Sequence, residues 1–217
     1  MYNINMEGLS KFNLENKIEK SEIKKGVDFV FEQSPELAQI GTKELYSEYL
    51  NTIFPDSKIK DIVYHGGADG IDNFKNPFEH DGKKFHSTLS FNKKRYGMYF
   101  TDKYKEAKDY ANTYGMNGYK PKVYPTMLNM RNPIKGKDVI LYGMASLKNI
   151  AKLINKNYVN FQSITEKDVE NFKENDIDGI EWIGKNQFIV VDSNQIYILG
   201  SRQDLENFKK FAGNKKD

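Results

Sequence analysis

The chain has no cysteine. That absence excludes thiolate nucleophiles, cysteine-ligated zinc and disulfides together. Histidine is nearly as scarce, with three residues, His65, His80 and His86. His80 and His86 stand in a polar stretch without the spaced partners of a metal site, so no metal is expected. No apolar run approaches the ~20 residues of a membrane span. The opening residues MYNINMEGLSKFNLENK lack the apolar core of a secretion signal. Excess charge is missing too: 33 basic against 30 acidic residues leave a formal +3, which is too little to argue for a nucleic-acid partner. There is no GxGxxG after a strand, no GxxxxGK(S/T), no HExxH and no GxSxG. The expectation is a cytoplasmic protein with no membrane partner.

Aromatic residues are plentiful, with 14 Tyr and 14 Phe, enough to build a core and line a pocket. Residues 1–58 read as a helical extension. Thr42 is placed to cap a helix over Lys43–Ile53, whose Leu45, Tyr46, Tyr49 and Leu50 share a stripe. Residues 59–217 read as the main domain. Its strands are expected at Asp61–His65, Gly97–Thr101 and Val123–Met130, with a helix over Lys103–Tyr114 capped by Asp102. Tyr104, Ala107, Tyr110, Ala111 and Tyr114 would form that helix's inner stripe. Two helices are expected between Gly143 and Glu174, and a terminal helix over Arg202–Phe211. Between them DIDGIEWIGKNQFIVVDSNQIYIL reads as three short strands joined by tight turns. Strands that cluster late, with hairpin turns, indicate an α+β fold with mixed or antiparallel sheets.

Candidate chemistry begins at His65, which ends an apolar strand and is followed by Gly66 and Gly67, where backbone can approach a ligand closely. Thirty residues on, Tyr99 and Tyr110 are spaced to sandwich a planar ring. Gln187 is the third feature, a polar side chain at the mouth of an apolar strand.

YHGG, GMYFTDKYKEAKDYA and NQFIVVD resemble the three motifs of ADP-ribosyltransferases of the diphtheria-toxin and poly(ADP-ribose) polymerase type, which use a His-Tyr-Glu triad. The nearer likeness is to the ADP-ribosyltransferase domains of bacterial and phage polyvalent proteins. These typically carry YHGT, a YFT strand, a strand like vYPvyLNikNP, a DGI motif and a closing EYVVFnpnQIKS. Here they read YHGG, MYFT, VYPTMLNMRNP, DGI and QFIVVDSNQIYIL.

The resemblance implies two small, mostly antiparallel sheets packed around an NAD cleft. It implies that NAD is the substrate, that no metal is needed, and that ADP-ribose passes to a macromolecule, with protein the expected acceptor. The setting would be a phage, mobile element or toxin-like effector, acting in the cytoplasm or delivered to a target cell's cytoplasm. The oligomeric state is left open. His65 would hold the adenosine-side ribose, the Gly66 backbone would pair with the nicotinamide carboxamide, and Tyr99 and Tyr110 would stack on the nicotinamide. Gly67 and Thr101 complete the binding set. Ala107 stands where the polymerases have a serine that bonds the carboxamide. Gln187 stands at the position of the catalytic glutamate. A glutamine keeps a hydrogen bond but brings no negative charge, and losing one such group commonly costs ~3 kcal/mol, about a hundredfold in rate. Glu181, on the preceding strand, is the candidate to replace it. The competing expectations are an NAD- or ADP-ribose-binding module without turnover, and an NAD glycohydrolase.

Overall fold

A computed structural model describes residues 22–74, 97–116, 118–136, 170, 172–182 and 186–215. His80, His86 and the helix expected from Gly143 fall outside the described residues, as does most of the one expected before Glu174. The described elements run α1 (Val27–Gln33), α2 (Leu37–Ile40), α3 (Lys43–Thr52), β1 (Val63–Ala68), β2 (Met98–Thr101), α4 (Tyr104–Gly115), β3 (Pro121–Leu128), β4 (Ile134–Gly136), β5 (Ile180–Trp182), β6 (Gln187–Val190), β7 (Ile196–Ile198) and α5 (Arg202–Asn214). None of the described helices is long and apolar enough to cross a membrane.

The class is α+β, as expected, but the strands form one curled seven-stranded sheet, a half-barrel, rather than two small sheets. Its order is β4-β5-β6-β2-β1-β3-β7. Continuity comes from the middle strands, since β2 pairs with both β1 and β6 and leaves no free edge at which a second sheet could begin. Neighbours are antiparallel except β4 and β5, which run parallel.

β1 runs through its two glycines instead of ending at His65. Gly66 and Gly67 pair with Val123 and Lys122 of β3. The reason lies in α4, which crosses this part of the sheet so closely that a Cβ on Gly66 would sit 2.0 Å from the Ala107 carbonyl oxygen and 2.8 Å from the Ala111 nitrogen. Only Ala107 and Ala111 of the expected stripe are buried; Tyr104 and Tyr110 are exposed. The helix therefore touches the sheet through its smallest residues, and its tyrosines flank the contact. Asp102 does not cap α4 either. Its carboxylate accepts from Asn186 Nδ2 at 2.9 Å, while Thr101 Oγ1 accepts the Lys103 N–H at 3.2 Å.

Two cores cover the two faces. On the α4 side, Val27, Val30, Leu37, Tyr46, Tyr49 and Leu50 of the first three helices join Tyr64, Val123, Met127 and Phe208 in one buried cluster. The other face buries Val63, Met98, Phe100, Leu128, Phe188 and Val190. Thr42 caps α3 as expected, accepting from Leu45 N at 3.2 Å. At the centre of the first cluster the fully buried Asp204 accepts from Tyr46 Oη at 2.5 Å and from Gly200 N at 2.7 Å. This ties α3 to the start of α5.

The DGI and NQI motifs are structural. Asp178 accepts the backbone N–H groups of Arg131 and Asn132. Gln195 Nε2 donates to the carbonyls of Asn129 and Asp178. Together they pin the end of β3 to the start of β5.

Three outcomes are expected. Gly66→Ala should lower the unfolding free energy by at least about 3 kcal/mol in chemical denaturation, because both nearest atoms are backbone and cannot rotate away. Tyr46→Phe should cost about 2 kcal/mol by removing one of the two donors to the buried Asp204 Oδ2 and leaving it Gly200 N alone. Burial raises the Asp204 pKa above the ordinary carboxyl value, against the Tyr46 and Gly200 hydrogen bonds that lower it. The folded state thus holds this proton more tightly than the unfolded chain, so Asp204's contribution falls as pH rises through its raised pKa. Asp204→Asn should flatten that part of the stability–pH profile.

Candidate active site

Strand register assigns the site residues to faces, because alternate side chains point to opposite sides. Tyr64 pairs with Thr101, Thr101 with Gln187, and Tyr99 with Ile189. Tyr99, Thr101 and Gln187 therefore share the face that carries α4. Thr101 and Gln187 lie directly opposite each other, with Cβ atoms ~5 Å apart by ladder geometry, and Tyr99 is the diagonal neighbour of Gln187. Tyr99 and Gln187 are half-buried.

Helix α4 walls this patch. Thr101 Oγ1 donates to Glu106 Oε2 at 3.1 Å, and Glu106 Oε1 accepts from Lys103 Nζ at 2.9 Å. Glu106 and Tyr110 are one turn apart, so both occupy the flank of α4 that looks toward β2 and β6. Tyr110 is 40% exposed, free to meet a ligand on that flank. Its ring touches Tyr114 edge-on at 6.1 Å.

The backbone of Gly66 points the same way. Pro125 has no N–H, and its carbonyl bonds Leu199 on the side away from β1. Successive residues of a strand alternate in direction. Val123 thus also faces away from β1, and its partner Gly66 turns its N–H and C=O toward β2. The recorded β1–β2 pairing stops at Tyr64–Thr101, two residues short of Gly66. An amide donor and acceptor are thereby directed to where the two strands part, beside Tyr99.

His65 lies elsewhere. It pairs with Tyr124, and its ring packs on Phe74 at 4.9 Å, Phe100 at 5.5 Å and Tyr124 at 6.4 Å, all on the face opposite Tyr99 and Gln187. Nδ1 lies 2.8 Å from the Tyr99 carbonyl oxygen, which can only accept, so Nδ1 carries the proton and Nε2 is left as an acceptor. Burial lowers the His65 pKa, partly offset by that carbonyl, and the ring is neutral at neutral pH. The side chain thus fixes the backbone position of Tyr99 from behind the sheet. Gly67 shares the His65 face, with a Cβ position 3.2 Å from His65 Nε2.

Glu181 is not beside Gln187. It pairs with Phe188, whereas Gln187 pairs with Trp182, so the two point to opposite faces. Glu181 Oε2 is instead 3.0 Å from Lys135 Nζ, close enough for charge attraction but without the alignment of a hydrogen bond.

The acid that sequence reasoning missed is Glu106. Its signal was present in the spacing: four residues before Tyr110 places it on the same helix flank. Among the described residues no group of three or more His, Asp or Glu is arranged to hold a metal ion.

A separate open groove of about 1090 Å³ lies across α4 from this patch, lined by Phe29, Tyr104, Lys108, Val123 and Arg202 among others. It includes none of Tyr99, Glu106, Tyr110 or Gln187. Asp69 on its rim is held down to about 2 by hydrogen bonds from Lys120 and Lys122.

No curated protein and no solved structure matches the chain. The sequence model of the family described as "ADP-Ribosyltransferase in polyvalent proteins" matches residues 60–203, which is more than half of the 217 residues. That span contains β1 to β7 and every residue of the patch described above. The chain belongs to the family of ADP-ribosyltransferases found in polyvalent proteins.

Proposed function

We propose that the protein transfers ADP-ribose from NAD to a macromolecular acceptor, a protein, and releases nicotinamide. The observation that carries this reading is the meeting of a directed amide with two tyrosines on one patch. Gly66 turns an N–H and a C=O toward the parting of β1 and β2. Tyr99 flanks that opening from the sheet and Tyr110 from α4. A primary carboxamide on a planar ring satisfies both features, since its oxygen and NH2 match the amide pair and its ring faces match the tyrosines. Ala107 puts no hydroxyl here, so the backbone of Gly66 carries the carboxamide contact alone.

With nicotinamide so held, the bond between its ring nitrogen and the ribose C1′ breaks. The electron pair stays on nitrogen, which neutralises the pyridinium, and positive charge develops on C1′ and the ribose ring oxygen. A lone pair on the acceptor forms the new bond to C1′, and the acceptor's proton passes to solvent. Gln187 borders the ribose side of the opening and orients its hydroxyls by hydrogen bonds, while the buried Thr101 beside it spends its hydroxyl on Glu106 and Lys103. His65 acts from the opposite face, where its Nδ1 holds the Tyr99 carbonyl from behind the sheet.

Incubation with labelled NAD and cell lysate tests the reading: label should appear on protein, with matching release of nicotinamide. Nicotinamide without label would assign a glycohydrolase, and NAD binding with neither product would assign a binding module. Tyr110→Ala should weaken NAD binding about tenfold by titration calorimetry, the value of one aromatic stack. Tyr119→Ala, an exposed tyrosine beyond the end of α4, should leave it unchanged.

A further inference from the structure

We propose that Glu106 supplies the negative charge that this site lacks at Gln187, so that the two functions of one carboxylate are divided between a strand amide and a helix acid. The inference rests on the transferase reading above. Bond cleavage at C1′ develops positive charge on the ribose, and a fixed anion nearby is the largest single aid an enclosed site can give it. Gln187 is in position but uncharged.

Three observations point to Glu106. Its carboxylate accepts a hydrogen bond from Thr101 Oγ1 at 3.1 Å, and Thr101 is the direct cross-strand partner of Gln187. The anion is therefore one hydrogen bond from the residue facing Gln187, on the same face of the sheet. Glu106 also shares its helix flank with Tyr110, one turn along, which sets it beside the proposed nicotinamide stack. Lastly, it is held and yet reachable. Lys103 Nζ fixes the second oxygen at 2.9 Å, and the Glu106 side chain is 41% exposed, so a ligand can approach it.

The neighbouring acids are otherwise engaged. Glu181 is on the opposite face with Lys135. Asp102 gives one oxygen to Asn186 Nδ2 at the β2–β6 end, and its other oxygen is buried there, out of a ligand's reach. Asp109, on α4, lies on the side of the helix turned away from Ala107 and Ala111, and hence from the sheet.

The division of labour has a chemical logic. The Gln187 amide both donates and accepts, so it can orient a ribose hydroxyl without changing charge with pH. Glu106 cannot replace that contact from the helix, but an electrostatic effect tolerates a longer reach than a hydrogen bond. The Lys103 ammonium tempers the carboxylate's charge and keeps it in place.

The test is single-turnover nicotinamide release from NAD, with NAD affinity and thermal unfolding measured on the same proteins. Glu106→Gln keeps the size and the Thr101 hydrogen bond. It should lower the rate about a hundredfold while NAD affinity and melting temperature stay at wild-type values. Adding Gln187→Glu to that variant should restore at least tenfold of the loss, because the charge returns on the facing strand. Asp109→Asn should match wild type. A Glu106→Gln rate within about threefold of wild type overturns the inference while the transferase reading stands. So does a loss that Gln187→Glu fails to recover. Absence of nicotinamide release from the wild-type protein overturns both.

Discussion

The contact between Gly66 and the backbone of α4 is the constraint on which the rest of the structure depends. A strand and a helix approach so closely there that no side chain fits between them. The helix must present alanines at 107 and 111, and its larger residues are forced to either flank. One flank then carries Glu106 and Tyr110 toward β2 and β6; the other carries Tyr104 and Lys108 toward the groove. Position on the chain, helical pitch and one missing Cβ together decide which residues can meet a ligand.

Much of this was legible in sequence because the signals are local. YHGG marks a strand with a close backbone approach, Thr42 is an N-cap by residue type, and Asn186, with φ +52°, is the turn residue the closing hairpin needs. The sequence marks the strands that carry Tyr99, Thr101 and Gln187, but their adjacency comes from the β2–β6 pairing. The closing stretch yields three strands as its turns require. Register was not legible. Whether Glu181 faces Gln187 or points away depends on a one-residue offset between β5 and β6, and nothing in the composition of either strand fixes that offset. The same parity sends His65 behind the sheet, where it acts on Tyr99 through a carbonyl.

Helical spacing gave a stripe of tyrosines and alanines without saying which of them faces the sheet. Tyrosine and alanine both occur in cores, and the choice was made by the clearance at Gly66, which admits only the smaller. The single sheet was hidden for a related reason. Pairing of β2 to both β1 and β6 is a long-range event between segments about 35 and 90 residues apart, so local patterning could only count strands. Gln195 shows the reverse case. A polar residue in the closing motif, it is spent on the fold, since both donors of its amide are taken by backbone carbonyls.

The edge of β3 carries a further consequence. Val123 and, by the same alternation, Pro121 turn their main-chain groups outward beyond the Thr126–Leu128 stretch that β7 pairs with, and Pro125 between them and β7 gives its carbonyl to Leu199. Proline at two of those three positions deletes the donors that an incoming strand would need. Among the described residues this stretch of the β3 edge thus offers an incoming strand a single N–H, at Val123, rather than a ladder. A foreign strand therefore finds no ladder to extend along this stretch of β3, and the two prolines that bar it cost the sheet none of the pairing it has with β1.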